Sequence, residues 1–529
     1  MAADLILRRG HIYTMDHKLP YAEAVAIARN RILAVGTEAE IGALSAPGTR
    51  IIDLTGRAVI PGLIDAHVHF GWWAQRCQRI DLRNASSMQE CLGRVAARVA
   101  ITPSGEWLRG DGWDRNLWSD SPFPDRFALD KVAPEHPVAL CSKDGHCLWV
   151  NTQALAILGI GPDTPDPAGG EIVRDPQTGM PTGILKETAQ NLVTDHLPKP
   201  DLPTYEAILR QAISEVHRLG ITSVHVPEGT EEFAAYQSLR NKGGLRLRIY
   251  MMLPVQSLEQ AIGVGLRTGF GDEMLRVGPI KIFADGALGS RTADMLEPYS
   301  NEPYNCGIEV TATEELRQLV RRANAAGLTV AIHAIGDRAN RRAIDVLSEI
   351  HAEGLDKGLR NRIEHLQLLT PEDLPRLATC GAIASMQPIH ATSDMEIADR
   401  YWGKRARYAY AWRSVLDAGG RLAFGSDSPV ESINPFLGIY AAVTRRRADG
   451  TPRDGWYPQE CISVEEAVRA YTLGAAFASG EEQIKGSITP GKLADLVVLS
   501  DNIFVSKPDR MLETLPVLTI FDGCVVFEQ

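Results

Sequence analysis

Two hydrophobic periods divide the chain. Through its middle, short apolar and β-branched segments recur as ITSVHV, RLRIYMML, IKIFADG, LTVAIHAIG, NRIEHLQLL, GAIASMQPI and RLAFGSD. Between many of them the apolar positions fall three and four apart, as in TYEAILRQAISEVHRLG, EELRQLVRRANAAG and RANRRAIDVLSEIHAEG. Continuous apolar runs read as strands buried on both faces, and the longer spacing reads as helices with one buried stripe. Strand and helix in alternation predict parallel strands joined by right-handed crossovers. With AVIPGLIDAHVHF in front the strands number eight, so the expected fold is α/β, a (β/α)8 TIM barrel over 61–477.

The two ends carry a different texture. The first 60 residues hold DLILRRGHIYTM, AVAIARNRILAVG and TRIIDLTGRAVI, punctuated by Gly10, Asn30, Gly36 and Gly56, and the C-terminal stretch holds GSITPGKLADLVVLS and VLTIFDGCVVFE. Neither end alone has enough strand to bury a core, because isolated hairpins are marginal. A single small β-sandwich built from 1–60 and 478–529 satisfies both. One interval breaks the barrel spacing: 156 residues separate His69 from His225, with loop-rich stretches such as IGPDTPDPAGG and RDPQTGMPTG. This predicts a large insertion after strand 1, over 85–205, acting as a substrate lid or cap. Six of the nine tryptophans, Trp113 among them, lie in or just before it. They form either the insertion's own core or an aromatic wall over the site.

Composition excludes several function classes. Lys plus Arg total 55 against 66 Asp plus Glu, a formal charge of −11, so neither nucleic acid nor an anionic membrane is the expected partner. The opening MAADLILRRG lacks the long apolar stretch expected of a signal peptide, and no apolar run reaches about 18 residues, so a cytoplasmic location is expected. The eight cysteines form no CxxC pair, which predicts reduced thiols rather than disulfides or a cysteine zinc site.

Candidate chemistry sits at the strand ends. Asp65-Ala66-His67-Val68-His69 closes the first apolar strand, and alternation puts His67 and His69 on one face, able to share a cation. HxH alone is weak. Four more ligand-type residues arrive in order at later strand ends: Lys281 in IKIFADG, His333 in VAIHAIG, His365 in RIEHLQL and Asp427 in FGSDSP. Buried Lys and Asp are rare unless paired or metal-bound, so the ordered set of six points to a metal centre. His225, in HVPE, could pose as the His of a single-metal site. That assignment leaves His333 and His365 as one ligand too many, and His225 reads better as structural or substrate-facing.

The arrangement resembles the amidohydrolase superfamily of metal-dependent hydrolases across nearly the whole chain. GDGWDRNLW, SKDGHCLWVNTQAL, GMPTGILKETA, IKIFADGALGSRTA, IHAIGDRA and SMQPIHATSD look like its amidohydrolase-3 group, which holds YtcJ-like proteins and N-substituted formamide deformylase. The resemblance implies two divalent ions, zinc before manganese, iron, cobalt or nickel. It assigns His67, His69 and Asp427 to one and His333 with His365 to the other. Lys281 would bridge them as a carbamate formed with CO2; an unmodified lysine beside a single ion is the alternative. His146, Glu187, Gln387 and His390 lie in the group's motifs and are candidate pocket residues, with Trp113 and His225.

The expected activity is hydrolysis of a non-peptide carbon–nitrogen bond, such as an N-formyl or N-acyl amide, by metal-activated hydroxide with Asp427 as proton shuttle. Two alternatives stay open. The same scaffold could act on a cyclic amide, an ester or an aminated heterocycle, although a deaminase should carry a Glu three residues after the fifth-strand His, where Gly336 stands. A non-catalytic assembly protein should have lost ligands, and all six are present. The expected partner is a small-molecule substrate, and relatives in the family imply a homodimer.

Overall fold

The computed structural model describes residues 2–118 and 123–529. Eight parallel strands pair in chain order: β1 (Leu63–Asp65), β2 (Ile221–Pro227), β3 (Arg248–Pro254), β4 (Leu275–Phe283), β5 (Val330–Ala334), β6 (Arg362–His365), β7 (Ile383–Met386) and β8 (Arg421–Phe424). Two backbone hydrogen bonds join the last strand to the first, Ala66 N to Phe424 O at 2.9 Å and Asp427 N to His67 O at 2.7 Å. The fold is therefore the expected (β/α)8 barrel. Its strands are apolar along their length because both faces are covered, with Val224, Ile249, Ile280, Ile332 and Ile363 all buried. The outer helices follow the spacing that marked them. Thr313–Ala325 buries Leu316, Val320 and Ala323, and Asp337–Ala352 buries Ile344, Leu347 and Ile350.

The apolar run AVIPGLID is shared by two sheets. Ala58–Pro61 pairs with Leu496–Leu499 and His11–Tyr13 in a six-stranded sheet, and only Leu63–Asp65 belongs to the barrel. Gly62 is the joint: a Cβ there would stand 2.3 Å from Thr222 Oγ1. A second, four-stranded sheet holds Leu5–Arg8, Ala24–Ala28, Arg31–Gly36 and Arg50–Asp53. Leu5, Leu7, Val25 and Ile27 from one end pack with Leu496, Val498, Leu518 and Ile520 from the other. The buried Arg248 at the start of β3 donates to both Asp495 oxygens, at 2.6 and 2.9 Å, and to Asp522 at 3.0 Å, tying the barrel's lower end to this sandwich.

Two compact units result, Met1–Trp73 with Leu209–Gln529, and Ala74–Ile208. The second starts and ends inside helices, Phe70–Cys77 and Leu202–Arg218, so it is wider than the loop-rich stretch 85–205. Within it lies a six-stranded sheet, running in order from Gly170–Arg174 through Pro181–Glu187, Cys147–Val150, Val138–Ser142 and Leu108–Trp113 to Ile80–Asp81. Trp113, Trp118 and Trp149 sit in one of its hydrophobic cores with Leu108, Val138 and Ile184.

Candidate metal centre

The six expected ligands gather at the C-terminal ends of the barrel strands, around one cavity of about 380 Å³. His67 and His69 follow β1 rather than lying in it, and both turn Nε2 toward Asp427 Oδ1, at 3.7 and 3.3 Å. The other Asp427 oxygen is 3.2 Å from His390 Nε2. Ring centroids of His365 lie 5.0 Å from His67 and 4.5 Å from His333. Ligand atoms of His67, His69 and Asp427 lie within 4.8 Å of one another, as do those of His365, His390 and Asp427. His390 thus stands where a ligand could, which the sequence reading had placed only as a pocket residue.

The backbone is bent to make this convergence. Asp427 has φ 56°, and His365 and Leu366 have φ 70° and 46°. For residues with a Cβ such geometry costs about 1–2 kcal/mol each. At His365 it breaks the strand's alternation, so His365 lines the cavity while its neighbour Glu364 reaches the His67 ring. Gly425 is required by close approach, since a Cβ there would stand 2.4 Å from His67 N. Asp65 Oδ1 completes the seam by accepting from His67 N at 3.1 Å and Ser426 N at 3.0 Å.

The donor set suits a divalent ion. Burial, reinforced by the Lys281 charge, pushes His67 down to about 4 and His333 to about 3, so both imidazoles are neutral and free to ligate near pH 7. Burial also holds His365 well below its ordinary value. Lys281 is pulled down to about 8 by burial, against the pull of Glu364 and Asp427. Its Nζ makes no hydrogen bond among the described residues, and neither does His69 Nδ1. A buried amine without an acceptor is costly as an ammonium, whereas the neutral amine is the form that adds CO2. Nitrogen and oxygen donors without thiolate fit zinc and its first-row neighbours.

Several supporting residues escaped the sequence reading. Glu364 accepts from His67 Nδ1, which fixes the tautomer and leaves Nε2 for the centre. Arg362, wholly buried, pairs with Glu364 and also donates to Ser385 Oγ at 2.7 Å. Asp285 accepts from Ile335 N at 3.0 Å and Gly336 N at 2.8 Å, bracing the loop after His333. The available signal was charge inside an apolar strand: Arg362 and Glu364 flank Ile363 in NRIEHLQLL.

The remaining candidates separate. His390 lines the cavity, while Gln387 is buried beside it, accepting from His365 Nδ1 at 2.9 Å. His225 is fully buried, does not line the cavity, and has its Nδ1 3.0 Å from Arg362 Nη1. Trp113, His146 and Glu187 belong to the second unit. The Trp113 indole donates to Leu140 O at 2.9 Å in that unit's core, and His146 and Glu187 form an exposed pair at 3.0 Å.

Ligand-type side chains converging at the C-terminal mouth of a (β/α)8 barrel define a metal-dependent hydrolase. The chain belongs to the Amidohydrolase family, whose model matches residues 50–527. It is similar to putative amidohydrolase YtcJ of Bacillus subtilis, 31% identical with 98% of each chain covered. N-substituted formamide deformylase of Arthrobacter pascens is 29% identical over 99% of this chain and 98% of that one. Protein LONG AFTER FAR-RED 3 of Arabidopsis thaliana is 35% identical over 95% and 88%. An uncharacterized metal-dependent hydrolase from Pyrococcus furiosus superposes with TM-score 0.77 at 28% identity, covering 94% of this chain and 99% of that one. The protein is a metal-dependent amidohydrolase, a hydrolase of carbon–nitrogen bonds.

Proposed function

We propose that the enzyme hydrolyses the amide bond of a small N-formyl or N-acyl amine, using two divalent ions, zinc before others. His67, His69 and Asp427 would hold one ion, His333 and His365 the other, with Lys281 carboxylated between them. The observation that carries this reading is the buried Lys281 Nζ, without a hydrogen-bond partner among the described residues, beside the neutral imidazoles of His67, His333 and His365. Bound there, the ions would supply Lewis acidity toward the substrate carbonyl and lower the pKa of water toward about 7.

The chain's own groups handle the proton. Asp427 is held well below the usual carboxylate range because hydrogen bonds from His390 and His69 outweigh its burial, so it is ionised and able to accept. Asp427 takes the proton of the attacking water and delivers it to the leaving nitrogen, which departs as an amine rather than an anion. Glu364 and Gln387 keep the rings of His67 and His365 oriented.

The site disfavours the deaminase alternative. Three residues after His333 stands Gly336, where a Cβ would meet Asp294 O at 2.0 Å, so no acidic side chain fits there. The cavity's volume suits a small molecule. Eight free cysteines favour a reducing compartment, the cytoplasm, and among the described residues no helix is long and apolar enough to cross a membrane. The test is a panel of N-formyl, N-acetyl and longer N-acyl amides beside esters and cyclic imides. Amide turnover that Asp427→Asn abolishes without unfolding the protein is expected. Turnover confined to esters or imides would overturn the reading.

A further inference from the structure

Part of the cavity takes no role in holding a cation or moving a proton. Besides the ligand set it is lined by apolar side chains, Phe283, Leu288 and Ile335 among them, and by Gln367 and Asp394. Gln367 is 4% exposed, and its Oε1 has no hydrogen-bond partner among the described residues. A buried amide oxygen left unpaired costs about 1–3 kcal/mol, which a ligand's N–H would recover. Asp394 receives the Tyr410 hydroxyl on Oδ2 at 2.5 Å, and among the described residues nothing donates to Oδ1.

Tyr410 braces both groups. Its hydroxyl holds Asp394, and its backbone N–H donates to the Gln367 carbonyl at 2.7 Å. Tyr410 itself is fully buried. Tyr410 thus holds the Asp394 carboxylate directly and the Gln367 backbone behind its side chain, and neither lining acceptor has its full set of donors. Among the described residues no arginine lines this cavity and Lys281 is its one lysine, and the His390 Nε2 is committed to Asp427 at 3.2 Å. A substrate anion would meet the Asp394 carboxylate, with no arginine or lysine among the described lining residues outside the metal centre to receive it. An ammonium, by contrast, brings three donors and the complementary charge.

We propose that Gln367 and Asp394 are specificity-determining residues that take a positively charged, N–H-bearing group on the substrate. The preferred substrate class is then an N-acylated amine with a second amino group. This rests on the amide-hydrolase reading above and deepens it.

Three matched amides test it: the mono-N-formyl derivatives of butylamine and 1,4-diaminobutane, and 4-formamidobutanoate. They differ in charge at the far end and little in size. With the metal-replete enzyme, kcat/KM should favour the cationic amide over the anionic one by about ten- to a hundredfold, the range of a charge-assisted hydrogen bond. Asp394→Asn keeps an acceptor for Tyr410 and should collapse that ratio toward one, and Gln367→Met should lower the preference without changing the Tyr410 contacts. Calorimetric binding of the same compounds separates the two claims. If none is hydrolysed but the cationic amide still binds more tightly, and loses that advantage in Asp394→Asn, the amide reading fails and the charge preference stands. Hydrolysis or binding with no charge preference, with the anionic amide favoured, or with a preference unchanged in both variants overturns the proposal.

Discussion

Replacing Glu364 by Ala tests how the centre is held. The Arg362 and Glu364 side chains are both 0% exposed and paired, and Glu364 also accepts from His67 Nδ1. Burial opposes ionisation of Glu364, and Arg362 and His67 more than offset it, leaving the carboxyl well below its ordinary range. Without that carboxylate a guanidinium stays buried with only neutral acceptors, Ser385 Oγ at 2.7 Å, the Ala66 carbonyl and His225 Nδ1 at 3.0 Å. Breaking one partner of such a pair costs about 3–5 kcal/mol. His67 would also lose the acceptor that fixes its tautomer, and outer-shell losses of this kind weaken metal affinity roughly ten- to a hundredfold. Urea denaturation reads the first quantity and competition with a calibrated chelator reads the second. Glu364→Gln keeps an oxygen for His67 but not the charge, so it should fall between Ala and the parent on both. A Glu364→Ala protein within about 1 kcal/mol of the parent, with unchanged metal affinity, would refute the reasoning.

Gly425→Ala should destabilise by about 1–3 kcal/mol and depress activity, because the new Cβ meets His67 N at 2.4 Å and Asp65 Oδ1 at 2.8 Å; thermal melting and turnover check it, and a neutral effect would sink the close-approach argument. Glu228 is pushed up to about 8 by burial, despite accepting from Tyr236 at 2.6 Å and from Gly71 N at 2.6 Å. Its folded value lies above its ordinary 4.5, so the stability it contributes is fully present below that value and lost as pH rises through about 8. Stability of Glu228→Gln should consequently fall less steeply than the parent's over that window, measured as urea midpoints at several pH values; identical slopes would remove Glu228 as the titrating group.

The barrel and the six residues that converge at its mouth were legible because each depends on local pattern. A strand buried on both faces is a continuous apolar run, so His67, Lys281, His333, His365 and Asp427 stood out against their surroundings. The same rule hid the joint at Gly62. AVIPGLID is apolar throughout whether one sheet or two receives it, and only the tertiary pairing of Ala58–Pro61 with Leu496–Leu499 divides it. The sheet in the second unit was masked by turn-rich composition, since Pro and Gly mark the connections and say nothing of what they connect. Glu364 was missed although its charge inside a buried strand was visible. Its partner His67 lies 297 residues away, and no local spacing pairs them. The sequence distance between Gln367 and Tyr410 conceals their shared backbone contact in the same way.

Elemental analysis of natively purified protein bears most directly on the central claim, that these buried histidines, Asp427 and Lys281 form a two-ion hydrolytic centre. Close to two divalent ions per chain are expected, falling in Lys281→Ala while the fold persists. A folded, active protein holding none would contradict that claim.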